Sequence, residues 1–297
     1  MRTLACIAAL AAAPAFADTA ITIPLVAEFG GKPFDCQAQY TGIGTSGSTV
    51  EIADFRLFIS NVRLIGAHGA EVPLVLTPDN IWQTDRVALL DFENATGTCA
   101  NGTPQVNTTL RGTAPEGSYT GLTFDIGVPF DLNHGDPTLA ASPLNVTAMF
   151  WTWQSGYKFL KLDMATAGLP LAPMAKDTTT PTITAKMDDM MKGPNGWSLH
   201  LGSTGCASAS ETTGPAAECA NPNRIAVALA GFAPGKSVMV IDPAALLAGS
   251  DVDINTPDTA PGCMSGGDDP DCADVMARLG LPFGGAAGGP QTLVSLR

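Results

Sequence analysis

Ile52-Ala53-Asp54-Phe55-Arg56-Leu57-Phe58-Ile59-Ser60-Asn61-Val62-Arg63-Leu64-Ile65 is followed by Ala67-His68-Gly69 and then by Glu71-Val72-Pro73-Leu74-Val75-Leu76. Two apolar runs flank a tip of small and turn-forming residues, which is the pattern of a β-hairpin. The lead-in from Thr49 also alternates like a strand. Outward from this hairpin, residues 87–92, 119–128, 147–153 and 159–163 each read as a strand, and 197–201 and 225–229 add two more. In 197–201, Trp197, Leu199 and Leu201 share one face and Ser198 and His200 the other, so one set is expected buried and the other presented. Helix is sparse: a short turn over 243–248, and a better case over 273–279 stopped by Gly280 and Pro282. With 32 Gly and 23 Pro punctuating short apolar runs, the expected fold is mostly β. It is an antiparallel sandwich-like domain with long loops and few short helices. A Pro/Thr-rich connection at 169–181 is a possible subdivision, and the Gly-rich stretch 284–289 reads as loose.

The N-terminus carries a compartment signal. Met1-Arg2, an apolar run over 4–13 and the small-x-small site Ala15-Phe16-Ala17 form a secretory leader. Residues 1–17 are therefore expected to be removed, leaving 18–297. The apolar run is roughly half of the ~20 residues a membrane anchor needs, so a periplasmic protein without membrane attachment is expected. Six cysteines then remain: Cys36, Cys99, Cys206, Cys219, Cys263 and Cys272. An even number in an exported chain reads as bridges, and the absence of any Cys-x-x-Cys weakens a zinc site. Fifteen pairings are open. The close spacings suggest Cys206 with Cys219 and Cys263 with Cys272, leaving Cys36 with Cys99.

A net charge of -13 argues against nucleic acid, whose phosphates require Lys and Arg. Gly42-Ile43-Gly44-Thr45-Ser46-Gly47 matches G-x-G-x-x-G, but the strand-like run after it offers no helix N-terminus for a phosphate, so it is a glycine-rich turn. No hydrolase motif occurs. The chain has three histidines. His68 is placed at the hairpin tip. His134 lies in Asp131-Leu132-Asn133-His134-Gly135-Asp136, where Asp136 could orient the ring, and His200 could turn toward His134 across a β layer. Two of the four tryptophans stand at Trp151 and Trp153, on one side of an expected strand. Met187, Met190 and Met191 offer thioether sulfur, which suits Cu(I).

Asn133-His134-Gly135-Asp136, Ser142-Pro143-Leu144-Asn145 and Met149-Phe150-Trp151-Thr152-Trp153-Gln154-Ser155-Gly156-Tyr157-Lys158-Phe159 resemble, in that order, the central signature of MbnP-like proteins, also described as a metallo-mystery pair four-Cys motif family. Phe34-Asp35-Cys36, Asp54-Phe55-Arg56-Leu57, Leu89-Leu90-Asp91-Phe92, Leu199-His200-Leu201-Gly202-Ser203-Thr204-Gly205-Cys206 and Gly262-Cys263-Met264 extend the resemblance over roughly 21–281. It implies a periplasmic copper-binding protein, not an enzyme, whose partner is a di-haem MauG-like cytochrome c peroxidase homologue that oxidises a tryptophan to kynurenine. Carried onto this chain, His134 and His200 are the expected copper ligands and Asp136 a supporting residue. Trp153 or Trp151 are the expected modified positions, with Trp82 and Trp197 as further candidates. Ser60 stands near a position where relatives carry histidine. Two other classes compete: a metal-free structural or interaction β module, and a periplasmic hydrolase using Asp131 and Asp136 beside His134.

Overall fold

The computed structural model describes residues 17–170 and 196–297. The leader up to residue 16, most of the 169–181 connection, and Met187, Met190 and Met191 lie outside the described residues.

Two sheets form. The first contains β1 (Asp18–Phe29), β2 (Lys32–Pro33), β6 (Val75–Leu76), β8 (Thr109–Pro115), β14 (Met239–Ile241) and β15 (Val294–Leu296). The second contains β3 (Tyr40–Ile43), β4 (Ser48–Gly66), β5 (Glu71–Pro73), β7 (Val87–Asp91), β9 (Tyr119–Ile126), β10 (Phe150–Thr152), β11 (Gly156–Ala165), β12 (Trp197–Gly202) and β13 (Ile225–Ala230). Among the described strands pairing is antiparallel except between β1 and β14, and an isolated parallel bridge joins Leu199 to Cys263. Among the described residues the α-helices are short, α1 (Phe130–Asn133) and α2 (Ala273–Arg278). Among the described residues, no helix is long and apolar enough to cross a membrane. All three expected disulfides form: Cys36–Cys99, Cys206–Cys219 and Cys263–Cys272.

The spine of the second sheet is β4. Its 19 residues, at about 3.3 Å each, are long enough to pair in turn with β3, β11, β7, β9 and β5. The register shifts between Ser60 and Arg63, where Asn61 takes a φ of 52°, a left-handed conformation that asparagine tolerates better than most residues. This irregularity lets one strand serve two sets of neighbours. The hairpin expected between β4 and β5 forms, with His68 exposed at its tip. The G-x-G-x-x-G segment is the turn between β3 and β4.

One face of this sheet is hydrocarbon. Phe55, Leu57 and Ile59 of β4, Leu160 and Leu162 of β11, and Leu199 and Leu201 of β12 are fully buried in a cluster that also takes in Ile23 of β1 and Leu110 of β8. The alternate residues make the opposite face polar. Register sets Asp91, Arg56, Lys161 and His200 side by side across β7, β4, β11 and β12, and sets Asp54, Asp163 and Ser198 in the adjacent row.

Several expectations from sequence need correcting. The second face of 197–201 is not presented to solvent: Ser198 is 2% exposed and His200 7%. Two stapled segments explain this. The loop after Glu93, tied by Cys36–Cys99, packs on the Arg56 end, with Gly102 against the Glu93 side chain. The segment of Cys263, tied to Cys272, bonds to the backbone of Ser198 and His200. Residues 147–153 are divided, Thr147–Met149 turning as a 3-10 helix anchored by the fully buried Met149 before β10 begins. Residues 243–247 likewise form a 3-10 helix, capped by Asp242. The stretch 284–289 is ordered, because Gly289 N donates to Ala277 O and Gly288 packs on the Gly280 backbone.

Candidate metal centre

His200 sits mid-strand in β12 with its side chain 9% exposed. Nε2 lies 2.7 Å from Asp163 Oδ1, while Nδ1 is buried with no hydrogen-bond partner. Burial pulls the imidazole below its ordinary pKa and outweighs the opposing pull of Asp163. A buried ring nitrogen without a partner costs roughly 1–3 kcal/mol, and the chain keeps one here. The Trp151 ring lies alongside, its centroid 6.4 Å from that of His200. That indole needs Gly202: a Cβ there would clash with a Trp151 ring carbon at 2.4 Å and lie 2.8 Å from Tyr157 O. On the far side of β12, Cys263 N donates to Ser198 O, His200 N donates to Cys263 O, and Ser265 Oγ donates to His200 O. Between those two anchors stands the half-buried Met264.

Around His200 the polar face is an ion-pair network. Lys161 Nζ is 2.9 Å from Asp163 Oδ2 and also pairs with Asp54. Asp54 pairs with Arg56, whose Nη1 is 3.0 Å from Glu93 Oε1. Burial would lower the Arg56 and Lys161 cations, but Asp54 and the other carboxylates outweigh it and hold both above their ordinary values. Asp163 is held well below the carboxylate range: its hydrogen bonds and the cations beside it overcome desolvation. The far end behaves oppositely. Burial pushes Asp91 up to about 7, and Glu93 is raised too, by burial and by Asp54. Glu93 lies close to Arg56 yet neither of its oxygens makes a hydrogen bond, so desolvation prevails over that attraction. Lys158 Nζ donates to Ala148 O at 3.0 Å, and burial lowers its ammonium to about 8.

His134 occupies a different setting. It caps the C-terminus of α1, half-buried, with Nδ1 3.0 Å from Trp153 O and Nε2 3.2 Å from Asn133 Nδ2 and 3.8 Å from Cys219 Sγ. Burial lowers its pKa. Among the described residues, His134, Cys206 and Cys219 form a group of three donor atoms within 4.8 Å of one another. The two sulfurs are bonded to each other, so neither is a thiolate and the group cannot ligate as it stands. The Trp-x-Trp segment touches both imidazoles with different residues, Trp151 meeting His200 and the Trp153 carbonyl meeting His134, while the two rings have separate partner sets. The Trp153 ring packs edge-on against Phe150, centroids 5.8 Å apart.

The remaining expected residues are engaged elsewhere. Asp136 Oδ1 accepts from Thr138 N and Oγ1, and the His134 ring is oriented by Trp153 O and Asn133 instead. Asp131 forms a bidentate pair with Arg86. Ser60 is buried on β4 with its hydroxyl unpartnered. Asp163, Lys161, Asp54 and Arg56 were not among the expected site residues. Their signal is the alternation itself, since charged residues recur every second position in both Asp54-Phe55-Arg56 and Lys161-Leu162-Asp163.

These features define a two-sheet, disulfide-stapled β protein with a buried imidazole beside a Trp-x-Trp segment. The family model for MbnP matches residues 18–265, and the chain belongs to the MbnP family. Among solved structures, MbnP from Methylosinus trichosporium matches with a TM-score of 0.77 at 28% identity, over 94% of this chain and 98% of that one. No curated protein matches the chain.

Proposed function

We propose that the protein is an extracytoplasmic copper-binding protein, taking Cu(I) as cargo at His200 and serving as substrate for a di-haem MauG-like peroxidase homologue that oxidises Trp151 to kynurenine. The observation that carries this reading is Nδ1 of His200, a buried imidazole nitrogen with no hydrogen bond, beside an indole. Imidazole and thioether are donors suited to copper, and Met264 supplies a thioether on the segment bordering His200. Carboxylates near the site are consumed in ion pairs with Lys161 and Arg56, which disfavours calcium and magnesium, ions that demand free oxygen ligands. Three disulfides and the secretory leader suit an oxidising compartment outside the cytoplasm, the periplasm. Binding rather than turnover fits a site whose nearest carboxylate, Asp163, is engaged by Ser198, His200 and Lys161.

Of the two tryptophans, Trp151 is favoured because its ring, not that of Trp153, meets His200. His134 then holds the Trp-x-Trp segment through the Trp153 carbonyl. The test is copper stoichiometry of protein coexpressed with the haem partner. His200→Ala should lose the bound copper while His134→Ala folds and retains it, and peptide mapping should find kynurenine at Trp151. Wild-type copper content in His200→Ala would refute the assignment, and an unmodified Trp151 peptide would remove the peroxidase from it.

A further inference from the structure

Asp163 receives three donors at once. Ser198 Oγ and His200 Nε2 each lie 2.7 Å from Oδ1, and Lys161 Nζ lies 2.9 Å from Oδ2. A lysine ammonium can only donate, and a carboxylate beside it can only accept. The imidazole therefore meets Asp163 through an Nε2–H. The form of imidazole that binds a metal is neutral and has a single N–H, so in that form the proton is placed at Nε2 and Nδ1 keeps its lone pair. That is the nitrogen which the structure leaves buried and unpaired.

What keeps Asp163 in place is the rest of the network. Lys161, its cation, is bound on the other side by Asp54, and Asp54 by Arg56, which reaches Glu93. These charges sit on the three central strands in fixed register, Asp163 opposite Asp54 and Ser198, and Lys161 opposite Arg56 and His200. Swinging Asp163 toward another partner would leave the Lys161 ammonium with Asp54 alone, in a site where its side chain is 13% exposed.

We propose that Asp163 is a positioning residue: by accepting the Nε2–H of His200 it fixes the tautomer that leaves Nδ1 free to bind a soft metal ion, and the Lys161–Asp54–Arg56 network serves to hold Asp163 in that role. The metal named here rests on the copper reading above, whereas the tautomer does not. Outer residues that orient a ligating histidine typically account for 10–100-fold in metal affinity.

The test uses the apo protein labelled with 15N-histidine, and the chain's three histidines are assigned by His68→Gln and His134→Gln. Long-range proton–nitrogen correlation at neutral pH should show His200 protonated at Nε2. In Asp163→Asn the amide can donate to Nε2, so the proton should move to Nδ1, and Cu(I) affinity measured against a chromogenic chelator should fall about 10–100-fold. Arg56→Met, which removes the cation that holds Asp54, should loosen Asp163 and raise the fraction of the Nδ1–H tautomer, and an unchanged tautomer would overturn the part given to the network. An Nδ1–H tautomer in the wild type would overturn the proposal, and that spectrum needs no variant to fold. Asp163→Asn with wild-type tautomer and affinity would overturn it as well. A wild type with the Nε2–H tautomer that binds no Cu(I) would support the positioning and overturn the copper reading.

Discussion

Replacing Lys161 by methionine removes the ammonium between Asp54 and Asp163 while keeping a side chain of similar length. The lysine side chain is 13% exposed, and those of Asp54 and Asp163 are 5% and 10% exposed, so water cannot take its place. In the wild type Arg56 and Lys161 balance Asp54 and Asp163. After the substitution, Asp54 keeps only Arg56, and Asp163 loses its ammonium partner. Removing one partner of a buried pair costs about 3–5 kcal/mol, and apolar burial of the methionine offsets part, so a loss of about 3 kcal/mol is expected. For a chain of this size each kcal/mol moves Tm by about 2–4 °C, which gives a drop of roughly 6–12 °C. The assay is denaturant unfolding with the disulfides intact, followed by tryptophan fluorescence. A second arm combines Lys161→Met with Asp163→Asn. Removing the uncompensated anion should make the double variant more stable than the sum of the single losses by about 1 kcal/mol or more. A loss below about 1 kcal/mol in Lys161→Met, the value of an exposed pair, would refute the view of the network as a desolvated unit, as would simple additivity.

Gly202→Ala should push the Trp151 ring away from β12, because its new methyl group would lie 2.4 Å from a ring carbon. Overpacking of this kind costs about 1–3 kcal/mol, and copper content should fall with it; unchanged copper and unchanged stability would show that the indole does not need its seat. A pH effect follows from Asp91, which burial raises to about 7 from an unfolded value near 3.8. The folded state holds a proton that the unfolded chain has lost, so this contribution is fully present below about pH 4 and disappears as pH rises to about 7. Asp91→Asn should therefore gain on the wild type across that window, by an amount on the order of 2–4 kcal/mol at pH 8; urea midpoints with a pH-independent difference would contradict it.

The second sheet was largely legible because its strands are long and strictly patterned. The 52–65 run, 119–128 and 225–229 carry their alternation openly, and β4, β9 and β13 follow it. The first sheet was not. β1 alternates in burial from Ile21 to Leu25, yet Pro24 lies within that run, and proline argues against a strand until the edge it occupies is known. β8 carries Gly112, beside which Val75 O would crowd any Cβ, a close approach invisible without the partner strand. At the site, His200 and the Trp-x-Trp segment stood out by rarity. Asp163 did not, since a charged residue on an alternating strand reads as solvent-facing until cross-strand register brings Lys161 and Asp54 to it. Asp136 was misread for the complementary reason: proximity in sequence to His134 suggested a contact, but a side chain that can close a local turn with Thr138 does so first.

The two-faced construction of β4, β11 and β12 has a consequence for assembly. Side chains alternate with period two, so slipping one strand by a single residue exchanges its faces. A slipped β11 would drive Lys161 and Asp163 into the hydrocarbon layer and turn Leu160 and Leu162 toward Arg56 and Asp54. Most sheets penalise such an error with water-exposed leucines; this one adds stranded charge on both sides. The correct alignment of three strands distant in sequence is thus checked twice, once by hydrocarbon and once by charge.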